Sequence, residues 1–263
     1  MAAVSRRGMD LTASGSEQHW AVVAAARMLI DILRGKMPGR AAKAAKAAHE
    51  FFEISLHNNP SKFPIACAKG CAFCCHVAVT ASAPEIFLVA AKIREMPEDR
   101  QEETLNRVRA ADQRTRQMTS RQRGSNKIPC GLLIDGACSV YEARPGACRG
   151  FSSTSAEICR RGFEGEAVQV NTPAVWTVLR GAHKQALWGA LAAEKLPAEY
   201  YEFHHALRIA LEVPDAENRW LAGEDIFAGV AREIVSDPAL NASNRRIIDQ
   251  VVAGALGHEV PAG

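Results

Sequence analysis

The stretch Cys67-Ala-Lys-Gly-Cys71-Ala-Phe-Cys74-Cys75 places four cysteines within nine residues. Thiolates at such spacing let a short loop wrap a soft metal ion or an iron–sulfur cluster. Gly70 lets the backbone turn just before the second cysteine, and Cys71-x2-Cys74 has the spacing of a knuckle for a tetrahedral ion. Cys74 and Cys75 are neighbours, so their side chains tend to diverge, and both rarely serve one ion together with Cys67 and Cys71. The spacing predicts two nearby sites, or a cluster in which the pair feeds different metal atoms.

The other four cysteines of the chain are Cys130, Cys138, Cys148 and Cys159. Their intervals are too wide for a knuckle and suit ligands delivered from a hairpin and its flanks. All eight cysteines are candidate metal ligands. Closely set thiolates repel one another, and Lys69, Arg144, Arg149, Arg160 and Arg161 stand beside cysteines where they could offset that charge. The competing readings are core filling, since free cysteine is among the most buried residues, and disulfides. Core filling applies best to Cys159, whose spacing nothing pins. Adjacent cysteines and tight loops suit bridging geometry poorly.

With 263 residues, 48% hydrophobic and 23% charged, the composition is that of an ordinary globular protein. A net charge of +3 does not argue for nucleic acid. Residues 1–17 lack the apolar core of a secretory signal, and the most apolar stretch, Trp20 to Leu33, carries Arg27 and Asp31 and is too short to span a bilayer. The chain is expected to be cytoplasmic, where thiols stay reduced and clustered cysteines serve as ligands.

Helical spacing of Val22, Ala26, Leu29, Ile30 and Leu33 predicts a first helix, and the run Ala41 to Leu56 a second. Ser82 and Glu85 read as a capping box for a helix through Met96. A very polar helix is expected over residues 97–123, a β-hairpin with long arms over 128–151 around the turn Asp135-Gly136, and irregular chain over 152–172. Further helices are expected over 173–193, 198–212, 215–222, 224–235 and 242–255, separated by prolines. The expected fold is mainly α: a helical shell around a cysteine-rich metal-binding core with a small β-hairpin. Its organisation reads as a disordered N-terminus (1–16), a helical domain with the core (17–172) and a C-terminal helical region packed on it (173–263).

The motifs Cys67 to Cys75, Cys130-Gly-Leu-Leu, Gly136-Ala-Cys138-Ser-Val-Tyr141 and Arg144-Pro145-Gly-Ala-Cys148-Arg149-Gly-Phe151 resemble the YkgJ-type cysteine-cluster family over residues 67–151. Gly131 departs from its pattern, in which proline is common. The resemblance implies zinc or iron chelation, with zinc or an iron–sulfur cluster as cofactor. A flagellin lysine N-methylase is similar in its cysteine motif, which implies an alternative: an iron–sulfur enzyme acting with S-adenosylmethionine. A third reading is an interaction or nucleic-acid-binding module stabilised by zinc.

Tyr141, Arg144 and Arg149 read as residues that buttress the metal core, since groups behind the ligands orient them and donate hydrogen bonds to sulfur. His76 follows Cys75 and could replace a cysteine as ligand, but eight cysteines already suffice and it reads as a bystander. His183, His204 and His205 read as structural or solvated, with a metal role as the alternative. The basic run from Arg107 to Lys127 reads as a solvated helix face, because acidic residues interleave with it and aromatic residues are absent. Phosphate-binding loops, nucleophile elbows and HExxH motifs are missing. The expected partner is a metal ion or cluster, with neither membrane nor nucleic acid.

Overall fold

The computed structural model describes residues 8–233 and 238–258. Helix α1 (Gly15–Arg34) starts on a capping box of Ser14 and Glu17 and buries Val22, Val23, Ala26, Leu29, Ile30 and Leu33. Helix α2 (Arg40–Asn58) buries its alanine run together with His49, Phe51 and Phe52. Its first turn is capped from far away: Glu217 Oε1 accepts from the backbone N–H groups of Ala41 and Ala42 at 2.7 and 3.3 Å.

The cysteine loop follows and ends in a single 3-10 turn, Phe73–His76. Strand β1 (Thr80–Ser82) leads into α3 (Ala83–Arg94), whose N-terminus carries the expected box of Ser82 and Glu85. Next come α4 (Glu98–Thr115) and α5 (Ser120–Ser125), then β2 (Leu133–Ile134), β3 (Ala137–Cys138) and the one-turn helix α6 (Gly146–Arg149). The chain continues through α7 (Ala156–Glu164), α8 (Ala174–Ala193), β4 (Tyr200–Glu202), α9 (Phe203–Glu212), α10 (Ala216–Leu221) and α11 (Pro238–Leu256).

The fold is mainly α, as expected. Helix α8 packs on α1, α2 and α11, while α3 packs on α2, α4 and α9. One hydrophobic cluster runs through these contacts from Met9 to Val251. Two small antiparallel sheets pin the non-helical parts. In one, Thr80, Ala81 and Ser82 of β1 pair with Glu202, Tyr201 and Tyr200 of β4. In the other, Leu133 and Ile134 pair with Cys138 and Ala137 across Asp135-Gly136, both at positive φ as the tight hairpin turn requires.

Several elements differ from the sequence expectation. The hairpin arms are two residues long, because the chain after Cys138 turns away into a 3-10 turn, Tyr141–Ala143. The long polar helix breaks before Thr119, where Thr119 and Gln122 form a new capping box. Residues 156–164, expected irregular, are helical: Ser155 caps the first turn, and Arg160 bridges Glu157 and Glu164 on the outer face. Residues 200–202 form strand β4 instead of helix. Residues 224–233 form turns and add backbone bonds to β4, with Glu202 N–H donating to Ala231 O at 2.7 Å.

At the N-terminus, residues 1–7 lie outside the described residues. Residues 8–14, within the segment expected to be disordered, are docked instead. Met9 is buried, and the amide of Asn59 accepts from Leu11 N–H and donates to Met9 O. Truncating that buried amide leaves two backbone groups unpaired, at about 1–3 kcal/mol for each orphaned group. Asn59→Ala is therefore expected to lower the melting temperature and to raise hydrogen exchange at Met9 and Leu11, with little change in α8. Unchanged exchange at both positions would show that the strap is held by other means.

Candidate metal centre

The turn Ala68-Lys69-Gly70-Cys71 closes by a bond from Cys71 N–H to Ala68 O at 3.0 Å, with Gly70 at φ +95°. A side chain would strain that turn, so glycine sets the direction in which Cys71 leaves the loop. Cys75 then accepts at its carbonyl from Cys130 N–H at 2.8 Å, which brings the second cysteine group onto the first. At the other end of the loop, Ala66 N–H donates to Ser153 O at 2.8 Å, and Ser153 N–H donates to Cys67 Sγ at 3.2 Å.

These backbone ties draw seven cysteines around one cavity of about 140 Å³: Cys67, Cys71, Cys74, Cys75, Cys130, Cys138 and Cys148. Apolar side chains such as Val79, Leu132 and Phe203 line it too, as do the polar Arg123, Tyr141, Arg144, Arg149 and His204. Cys159, on α7, neighbours Cys67 without lining the cavity. All eight cysteines are free thiols, so the disulfide reading has no support in the geometry.

The thiols differ in acidity by surroundings. Hydrogen bonding with Cys75, then burial, pushes Cys74 far above the usual thiol value. Burial pushes up Cys67, Cys138 and Cys148, and neighbouring thiols add to the effect. Cys130 is the exception. Burial alone would raise it, but His204, together with Leu132 N–H and Arg123, outweighs burial and brings it down.

His204 Nε2 lies 3.3 Å from Cys130 Sγ, and its Nδ1 lies 3.5 Å from Glu202 Oε1, which Arg123 holds from the far side at 3.1 Å. Burial would lower His204; Cys130 and Glu202 raise it to about 9. Nε2 also stands 3.2 Å from Gly131 N. A charged ring donates from Nε2 to the sulfur, and a neutral ring accepts from Gly131 N–H. Strand β4 and the start of α9 carry Glu202 and His204 to this point, so the β1–β4 pairing places them against the cysteine loop.

The three buttressing candidates divide in role. The Arg144 guanidinium stacks on the Tyr141 ring at 3.7 Å and donates to Tyr141 O at 2.8 Å. From there its charge favours the thiolate forms of Cys74 and Cys138, against the burial that raises both. Arg149 is buried but turns to Glu53 and the Glu142 carbonyl, tying α6 to α2. Arg160 and Arg161 pair with Glu157, Glu164 and Glu166 at the surface and do not serve the thiols. The ring of His76 lies against Phe163, with Nδ1 3.2 Å from Ala72 O, off the cavity wall.

Sequence reading missed Arg123, folded into the basic run yet almost fully buried, and gave His204 no tie to Cys130. The only local signal was a histidine on the apolar side of α9. The rest of the basic run behaves as a charged helix face, with Arg107 on Glu103, Arg109 on Glu212 and Arg116 on Asp112.

Residues 66–172 match the family model named CxxCxxCC, described as a "Putative zinc- or iron-chelating domain". That segment holds all eight cysteines. No curated protein and no solved structure matches the chain. No helix among the described residues is long and apolar enough to cross a membrane.

Gly131, next to Cys130, sits where α4 approaches closely. A Cβ there would stand 2.9 Å from Arg107 O and 3.0 Å from Val108 Cα, both backbone atoms of α4. Gly131→Ala is expected to push the Cys130 segment off α4 and to cost about 1–3 kcal/mol of stability. Thermal unfolding checks the cost, and thiol-labelling rates check whether Cys130 becomes more reactive. A variant as stable and as slowly labelled as the original chain would contradict the close approach.

Proposed function

We propose that the chain, through its CxxCxxCC domain, is a metal-binding protein whose cavity thiolates hold an iron–sulfur cluster. The observation that carries this reading is the count of sulfurs around one small cavity. Seven thiols exceed the four that one tetrahedral ion takes, or one simple cluster, so the cavity has donors for a centre of several metal atoms. The donors are soft, which suits zinc and iron–sulfur centres alike, so zinc on a subset of the thiols is the competing reading. When bound, a cluster would supply electron transfer or an open iron for substrate.

The residues around it have separable tasks. Cys67, Cys71, Cys74, Cys75, Cys130, Cys138 and Cys148 are the ligand candidates on the wall. Arg144 and the His204–Glu202–Arg123 chain balance and orient the thiolates, as groups behind metal ligands do. Arg149 holds the α6 turn, and with it Cys148, in place. Buried thiols that resist ionisation must lose their protons to the metal, so binding energy becomes folding energy for the loop.

Anaerobic purification followed by iron, zinc and acid-labile sulfide analysis tests the reading. The expected preparation is coloured and contains iron with sulfide. A colourless protein with zinc and no sulfide would replace the cluster by zinc.

Two comparisons locate the ligands. Cys148→Ser should lose most of the metal, whereas Cys159→Ser, off the cavity wall, should keep most of it. Equal losses would bring Cys159 into the ligand set. Arg144→Ala should weaken metal affinity about 10-fold, the lower range for groups behind the ligands, and Arg144→Lys should weaken it less. If neither variant changes affinity in a chelator competition, charge compensation by Arg144 is wrong.

A further inference from the structure

We propose that His49, Glu85 and His183 form a second metal site, separate from the cysteine cavity, for one divalent first-row transition ion. The three come from α2, α3 and α8. One donor atom from each lies within 4.8 Å of the other two. His49 Nε2 and Glu85 Oε1 are 3.4 Å apart. Donors 2.0–2.2 Å from a shared ion stand about 3–3.5 Å from each other, so this pair is already at ligand spacing, and the third donor has about 1 Å to close.

Burial separates this cluster from a surface coincidence. His49, Glu85 and His183 are 4%, 1% and 3% exposed. His49 Nδ1 and His183 Nε2 are buried without any hydrogen-bond partner. Protein interiors seldom leave such atoms unsatisfied. The two rings stack at 5.3 Å, with His49 Nε2 on the Glu85 side and Nδ1 on the other. Gly146 backs closely onto the cluster, where only a glycine fits. A Cβ there would stand 2.7 Å from His183 Cε1, 3.0 Å from His183 Nδ1 and 2.9 Å from Glu85 Oε1.

The hydrogen bonds also suit a ligand set. Glu85 is held as a carboxylate by the Ser82 N–H and hydroxyl and by Gly146 N–H, at 2.9, 2.7 and 2.6 Å. Neutral imidazoles and an ionised carboxylate are the forms that bind metal. Two imidazoles and one carboxylate suit zinc or ferrous iron and leave coordination positions open. His49 and His183 lie outside residues 66–172, so the family match does not assign this site. The site does not depend on what the cysteines hold.

Cobalt(II) added alone to the reduced, metal-stripped full chain distinguishes the two sites. Thiolate-bound cobalt gives an intense charge-transfer band, whereas a nitrogen and oxygen site gives only weak d–d absorption. Cobalt per chain is counted by equilibrium dialysis for the unmodified protein, His49→Gln and His183→Gln. Each variant is expected to bind one cobalt fewer with the charge-transfer band unchanged. Equal stoichiometry overturns the site. So does loss of the band together with the ion, which would make the cluster a support for the cysteine cavity. If the cysteines hold no cobalt, the band is absent from all three proteins while the difference in stoichiometry persists. Should the variants fail to fold, the unmodified protein still decides: cobalt must produce hyperfine-shifted, exchangeable imidazole N–H signals from two histidines, and their absence overturns the proposal.

Discussion

The carboxylate of Glu85, sealed from solvent, is the constraint on which the middle of the molecule depends. An ionised carboxylate in a protein interior is very costly unless donors surround it. Here Ser82 supplies its N–H at 2.9 Å and its hydroxyl at 2.7 Å, Gly146 supplies N–H at 2.6 Å, and His49 stands at 3.4 Å. The N–H and O–H donors come from the β1–α3 junction and the α6 turn, and α2 brings His49 alongside. Satisfying one charge therefore fixes where these segments meet. Cys148 and Arg149 follow Gly146 in the same turn, so the position of a cavity thiol is set by a carboxylate that is not itself on the cavity wall.

The cysteine cavity rests on the opposite principle. Its thiols gather where they would repel once ionised; the Cys75 hydrogen bond and burial hold up Cys74, and burial holds up Cys67, Cys138 and Cys148. Compensation arrives from elements far apart in sequence: Arg144 beside the hairpin, His204 on α9 and Arg123 on α5. The helices thus act as a frame that positions counter-charges. The short sheets transmit that frame to the loop, since β1 leaves the cysteine segment and β4 enters α9.

How much of this was readable in advance follows from where each signal resides. Helices α1, α2, α3 and α8 bury periodic apolar faces, and a capping box marks the start of α3, so local sequence is sufficient for them. The convergence of cysteines was legible as spacing. The break at Thr119 and helix α7 were missed because short capping signals compete with a generally polar background. Strand β4 was missed because it exists only through pairing with β1. His49 carries no local signal within an alanine-rich helix, and Glu85 reads as a cap. Their meeting with His183 is a tertiary fact that no local pattern encodes.

Arg27 of α1 reaches across to α11, donating to the carbonyls of Gly254 and Ala255 at 2.6 and 3.0 Å, over a separation of up to 228 residues. Helix α1 also packs on α8 and α11. During synthesis, then, the first helix emerges long before the surfaces that cover it. Contacts this distant form slowly because chain closure must come first, and a partly made chain holds exposed apolar surface meanwhile. The cysteine loop is translated inside that interval, between α1 and its late partners. Its thiols meet the cell's metal and redox pools on an unfinished chain, before the helical frame closes around them.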